Sequence, residues 1–99
     1  MSEQGAERAV ITITGIDFKP SFVGSSLVGK TKVGKEMRFF FRPDTDIRKI
    51  GSEEITKQLG EFLGEKAALP FRVGEEVQVL WKIDPATSQR TAVRITVIE

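Results

Sequence analysis

The first long segment of the chain alternates between apolar and polar residues. In the sequence AVITITGIDF, Ala9, Ile11 and Ile13 point to one side of an extended backbone, and β-branched residues dominate. A period of two and β-branched side chains are typical of a half-buried strand. The pattern therefore predicts a first strand over residues 8–18, preceded by a polar, flexible tail at residues 1–7.

Proline and glycine divide the next part of the chain into two further strands. Pro20 interrupts the ladder of backbone hydrogen bonds, so a second, short strand is expected over residues 21–28, ending at Gly29. The sequence GKTKVG at residues 29–34 indicates a turn because it contains two glycines. A third strand is then expected over residues 35–42.

The third strand carries three consecutive aromatic residues. Adjacent residues of a strand face opposite sides, so Phe39 and Phe41 are expected to pack in the core. Phe40 then lies on the other face, between Arg38 and Arg42. A register shifted by one residue would exchange the two faces.

One helix is expected after the third strand. Pro43 ends the strand, and residues 44–51 form a charged linker. Ser52 is a candidate N-cap, followed by two glutamates in the first turn, where the helix dipole favours negative charge. Apolar residues then recur at helical spacing, which predicts one amphipathic helix over residues 52–64. These apolar residues are Ile55, Leu59, Phe62 and Leu63.

The end of the chain predicts a hairpin. A fourth strand follows the Val73-Gly74 turn and ends at Asp84, and alternation places Trp81 on the apolar face with Val77, Val79 and Ile83, which favours a core position for this ring. The sequence DPATSQ forms a turn. A fifth strand covers residues 91–98.

The order of elements defines the expected fold class. Three strands, one short helix and two strands make a mainly β protein, and this β-β-β-α-β-β order is that of a five-stranded Greek-key barrel of the OB type. Residues 8–99 are long enough for one domain and too short for two.

Composition excludes several kinds of chemistry. The 99 residues contain no cysteine and no histidine, which removes disulfides, thiol and imidazole catalysis and the usual zinc ligands. The acidic residues Asp44, Asp46, Glu53 and Glu54 lack metal-ligand spacing. We therefore expect no catalytic residues, no metal and no cofactor. With neither an apolar membrane span nor a secretory leader in the sequence, a cytoplasmic protein is expected.

Positive charge is concentrated in one segment although the formal net charge is only +1. Between Phe18 and Arg42, cations interleave with phenylalanines and Glu36 is the one acidic residue. Cations that bind phosphates and rings that stack on bases are typical of single-stranded nucleic-acid binding. The candidate phosphate contacts are Lys19, Lys30, Lys32, Lys35, Arg38 and Arg42. Phe40, together with Phe18 or Phe22, is the candidate stacking ring; core packing is the alternative for each.

The same segment matches a phosphate-loop motif. Gly24, Gly29, Lys30 and Thr31 satisfy G-x-x-x-x-G-K-[ST]. A working phosphate loop leaves a buried parallel strand and opens a helix, whereas here the sequence after Thr31 predicts a loop and a strand. Nucleotide binding at this motif is thus a remote alternative.

Two segments resemble the cold-shock domain family. MRFFFRPDTDI, residues 37–47, is similar to the second RNA-contact motif of that family, and residues 73–98 are similar to its last hairpin. The chain departs from the family where Pro20, Ser21 and Phe22 follow Lys19, and where Phe41 replaces a histidine. The resemblance is thus to a divergent member, and it implies an OB barrel that binds single-stranded nucleic acid, with RNA favoured over DNA.

Two functions therefore follow from the sequence. The preferred hypothesis is a non-enzymatic module that binds single-stranded RNA or DNA. The alternative is a barrel for protein–protein interaction or assembly, with other protein domains as partners.

Overall fold

The computed structural model describes residues 6–19, 21–51, 54–61 and 69–98. Within these ranges lie seven strands and one short helix, which begins at Leu59 and is described as far as Glu61. The strands are β1 (Glu7–Asp17), β2 (Ser26–Lys30), β3 (Glu36–Phe40), β4 (Asp46–Ile50), β5 (Ile55–Gln58), β6 (Glu76–Ile83) and β7 (Arg90–Ile98).

Five of the strands close a barrel. β1 pairs with β2 on one side and with β6 on the other, both antiparallel, and β2 and β6 pair in turn with β3 and β7. The barrel closes where β3 and β7 meet in parallel, with Phe40 opposite Thr91. This connectivity is that of an OB-like barrel, so the predicted fold class is confirmed.

The alternating patterns of β1 and β3 place their apolar residues in the core as predicted. Ile11 and Ile13 are buried, and so are Phe39 and Phe41, whereas Phe40 is half-buried on the outer face. Each fully buried side chain of this size contributes about 1.5–3 kcal/mol relative to an exposed one. The faces of the third strand are therefore set by its phenylalanines.

β6 follows its predicted pattern for most of its length. Val77 and Val79 are buried, and Trp81 is half-buried against the core, with its ring 6.0 Å from that of Phe39. The β6–β7 register shifts between Leu80 and Trp81. Ile83, which alternation places on the apolar face, is instead exposed because it lies at the end of the strand.

Within the described residues, most of the predicted linker and the first part of the predicted helix are strands instead. Residues 46–50 form β4, which pairs in parallel with β7, and residues 55–58 form β5, antiparallel to β4. Ile47 is fully buried in this arrangement, so burial outweighs the charged character of residues 44–51. At residues 55–58, pairing with β4 outweighs the helical spacing of the apolar residues. The helix starts only at the buried Leu59; Ser52 and residues 62–64 lie outside the described residues.

Strand boundaries also differ from the prediction near β2. Residues 21–25 form a turn instead of a strand, and β2 continues through Gly29 to Lys30. A Cβ atom at Gly29 would lie 2.7 Å from Ile11 Cδ1 and 2.7 Å from the backbone oxygen of Thr12, so glycine is needed for β1 to approach β2. β3 is shorter than predicted at both ends, and β1 already includes Glu7 of the predicted tail, whose first five residues lie outside the described part.

Candidate nucleic-acid interface

An open pocket of about 560 Å³ lies at one end of the β2–β3 surface. Three segments form it: the turn between β1 and β2, the end of β3, and the loop between β6 and β7. In OB barrels the β2–β3 surface and the two corresponding loops bind oligonucleotides and oligosaccharides. The lining residues are Ser21, Phe22, Val23, Gly24, Ser25, Phe40, Phe41, Arg42, Pro43, Asp84, Thr87, Gln89 and Thr91.

Aromatic residues form the floor of this pocket. The ring of Phe41 is buried, and Phe22 packs edge-to-face against it with 6.4 Å between ring centroids. Phe18 lies 5.4 Å from Phe22 and also stacks on Phe41 at 6.4 Å, while Phe71 contacts Phe41 from the core side at 5.6 Å. The floor is therefore a continuation of the hydrophobic core.

The turn between β1 and β2 holds Phe22 over the core. Phe22 has a positive φ of 65°, and its amide donates to the carbonyl of Lys19 at 2.8 Å. The amide of Lys19 in turn donates to Ser25 Oγ at 2.8 Å. A positive φ is unusual for a bulky residue, so this turn keeps an uncommon backbone conformation at the wall of the pocket.

The outer face of β3 presents a ring beside a fixed cation. Phe40 is half-buried, and Ser26 on β2 lies directly opposite it. Arg38 reaches across to donate from Nη1 to Ser26 Oγ at 2.7 Å. This hydrogen bond brings the Arg38 guanidinium to the β2 residue that lies opposite Phe40.

An ion pair links the end of β3 to the β6–β7 loop. Arg42 Nη2 lies 2.7 Å from Asp84 Oδ2, and Asp84 Oδ1 accepts a hydrogen bond from the amide of Ala86 at 2.9 Å. An ion pair with one half-exposed partner contributes at most about 1 kcal/mol to stability. Any phosphate at Arg42 would have to compete with the Asp84 carboxylate.

The structure divides the predicted site residues into two groups. The pocket group, which we define as Phe22, Arg38, Phe40 and Arg42, lies in or beside the pocket. Lys19 lies beside the pocket, because its Nζ is 3.3 Å from the point that a Cβ atom would occupy if one were added to the pocket residue Gly24.

The other predicted cations form a hairpin group, defined as Lys30, Lys32 and Lys35. All three are exposed at the β2–β3 turn, which is closed by the amide of Thr31 donating to the carbonyl of Lys35 at 2.9 Å. Four residues of β3 lie between Phe40 and Lys35 in this turn, so these two residues are about 17 Å apart along the strand. The hairpin group therefore lies at the opposite end of β3 from the pocket.

The second half of the phosphate-loop motif lies in an antiparallel hairpin. Gly29 and Lys30 lie within β2, and Thr31 starts the tight turn into β3, with Gly34 at a φ of 84°. Residues 31–51, all of them described, contain no helix that could direct its amides at a phosphate. The nucleotide-binding alternative gains no support from this geometry.

The sequence does not identify several of the pocket residues. Pro43, Asp84, Thr87, Gln89 and Thr91 belong to segments whose patterns indicate only strand ends and turns. The one available signal is the OB-like order itself, because the last hairpin loop of such barrels lies beside the first. A pairing of Asp84 with Arg42 depends on barrel closure and has no local sequence signature.

Comparison with protein-family models, with curated proteins and with solved structures found no match to this chain. The cold-shock resemblance therefore stays a prediction. Within the described ranges, no helix is long and apolar enough to cross a membrane. Nor do the residues in those ranges include a cluster of three or more acidic side chains suited to a metal ion.

Proposed function

We propose that this protein is a non-enzymatic module that binds single-stranded nucleic acid, with RNA favoured over DNA. The observation that carries the proposal is the half-buried ring of Phe40 beside the pocket, between Arg38 and Arg42 on the outer face of the barrel. A ring in this position offers one face to a base, and stacking of a base on an aromatic residue contributes about 1–3 kcal/mol.

The two groups of residues would then serve different parts of the ligand. In the pocket group, Phe40 stacks on a base, and Phe22 closes the pocket from the β1–β2 turn. In the hairpin group, exposed lysines attract the phosphate backbone without fixing its position, as surface cations do. A strand running along β2–β3 would meet both groups.

The arginines of the pocket group have unequal access to phosphate. Arg38 is held by a neutral hydroxyl, Ser26 Oγ, so most of its donors stay available for an anion. Arg42 is held by the carboxylate of Asp84. We therefore assign the first phosphate contact to Arg38, and a second one to Arg42 only if its ion pair opens.

The test is a fluorescence-anisotropy titration of labelled single-stranded RNA and DNA at two salt concentrations. The proposal expects micromolar or weaker affinity that falls steeply with salt, because each phosphate contact releases counterions. Double-stranded DNA of the same length is the control for non-specific charge attraction. No binding of any single strand at low salt would refute the proposal.

A second candidate function is favoured by the Arg42–Asp84 pair. This pair neutralises the cation nearest the pocket, and Val23 at the lip is 77% exposed, so the pocket also suits an apolar side chain of another protein. An assembly barrel of this kind would elute as an oligomer from a sizing column and would not bind oligonucleotides. Binding of single strands by a monomer would exclude it.

A further inference from the structure

A second cluster of cations lies on a different wall of the barrel. β1, β6, β7 and β4 are neighbours in the sheet, and their outer faces surround a small concavity of about 100 Å³. None of the sequence motifs points to this wall. The lining residues are Arg8, Arg48, Gln78, Leu80, Arg94 and Thr96.

Strand register brings the three arginines together. Arg8 and Arg94 both lie opposite Leu80, on either side of β6, so their backbones are about two strand spacings, or 10 Å, apart. Arg48 on β4 lies opposite Thr96 on β7, two residues along from Arg94 and on the same face. Arginines at this spacing can direct their long side chains at one point above Leu80.

The guanidinium of Arg48 is fixed in place. Its Nε donates to Glu54 Oε1 at 2.8 Å, and its Nη2 lies 2.6 Å from the same oxygen. A guanidinium has five N–H donors, so this contact uses one edge and leaves other donors available. Glu54 therefore orients Arg48 without using all of its hydrogen-bonding capacity.

The other polar groups complete a set of donors. Thr96 is only 8% exposed and places a hydroxyl in the wall, and the half-buried Gln78 lies opposite it with an amide. Arg8 is exposed, and it forms no ion pair with an acidic residue in the described part of the chain. Arg94 already interacts within the chain and lies opposite Asp46, so the cluster is partly but not fully neutralised.

The size of the concavity limits the ligand. A volume of 100 Å³ holds a few water molecules, or one small tetrahedral anion in their place, and is too small for a nucleoside. Arginine forks match the oxygens of phosphate in paired hydrogen bonds. We propose that this arginine concavity binds one phosphate group, either free inorganic phosphate or the terminal phosphate of an oligonucleotide.

The proposal is tested by following backbone amide shifts while inorganic phosphate is added, with chloride adjusted to hold ionic strength constant. If phosphate binds in the concavity, the amide shifts should saturate with phosphate concentration and be confined to residues around Gln78, Leu80, Arg94 and Thr96. Arg8→Gln and Arg48→Gln should each weaken binding about five- to tenfold, because each removes a charge-assisted hydrogen bond. Arg48→Lys, which keeps the charge and loses the fork, should fall between them and the unmodified protein.

One matched variant and one comparison complete the experiment. Arg72→Gln removes one exposed cation elsewhere and should leave phosphate affinity unchanged. A 5′-phosphorylated oligonucleotide that shifts the same residues, where its 5′-hydroxyl counterpart does not, identifies a terminal phosphate as the source; saturation by free phosphate alone identifies the free anion. Amide shifts that rise linearly with phosphate concentration, or that are dispersed over the protein, would overturn the proposal. So would a phosphate affinity of the arginine variants equal to that of the unmodified protein. These outcomes are independent of whether Phe40 binds a base.

Discussion

The two ends of the β2–β3 surface both carry cations but differ in how the cations and the groups around them are arranged. At the pocket end, a ring, a buried aromatic floor and two held arginines surround a concavity. At the hairpin end, three lysines extend from a turn that includes Val33, which is 91% exposed. Under the proposed function, positive charge alone does not define the binding site: the pocket end would select the ligand through its fixed geometry, and the hairpin end would add attraction.

The largest expected effect comes from the floor of the pocket. Phe41→Ala removes a buried ring that contacts Phe18, Phe22 and Phe71, and should lower the free energy of unfolding by about 3–5 kcal/mol. Phe40→Ala, its neighbour on the outer face, should cost far less. Denaturant unfolding measures both, and equal reductions would show that the two faces of β3 are not distinguished as described.

A smaller decrease in the free energy of unfolding is expected at Gly29, where β2 packs closely against β1. Gly29→Ala would place a Cβ atom against Ile11 and the backbone of Thr12, so the strands must move apart, at a cost of about 1–3 kcal/mol. Gly15→Ala is the matched control, because a Cβ there meets nothing within 4 Å. Thermal unfolding of both variants checks the difference, and a Gly29→Ala protein as stable as the control would contradict the close approach.

For binding, the ring of Phe40 should matter most. Phe40→Ala should weaken single-strand affinity by about 1–3 kcal/mol, because one base no longer stacks on a ring. Val33→Ala makes a similar apolar truncation at the hairpin end and should leave the affinity unchanged. Anisotropy titrations of the two variants compare the ends directly; if they behave alike, Phe40 does not touch the ligand.

The smallest effect per residue is expected from the hairpin group. Replacing Lys30, Lys32 and Lys35 together by glutamine should make the plot of log affinity against log salt shallower, with little change in base preference. For a single strand, the slope should fall by about 0.7 for every phosphate that these lysines neutralise in the unmodified protein. Arg72→Gln, on another surface, is the charge control. A salt slope identical to that of the unmodified protein would exclude these lysines from the interface.

The barrel could be predicted because its strands are locally consistent. In β1 and β3, alternation, β-branched or aromatic residues and turn residues all indicate the same structure, so the faces of Phe39, Phe40 and Phe41 follow from sequence. Residues 46–58 could not be predicted in this way. Their pattern is charged and compatible with a helix, yet its described parts form β4 and β5 because pairing with β7 is a long-range interaction.

Only part of the candidate site could be predicted from the sequence. Phe40 and Arg42 follow from the strand pattern, whereas Asp84, Thr87 and Gln89 enter the pocket only because the barrel closes between Phe40 and Thr91. The arginine concavity joins residues from four strands spread over the chain, from Arg8 to Thr96. No local spacing indicates such a cluster.

The most direct test of the central claim is a map of amide shifts on adding a short single-stranded oligonucleotide. We expect the largest shifts at residues 21–25, 38–42 and 84–91, with weaker ones at the lysines of the hairpin group. Shifts confined to the hairpin group, or the absence of any, would contradict the assignment of the pocket as the place where a base is bound.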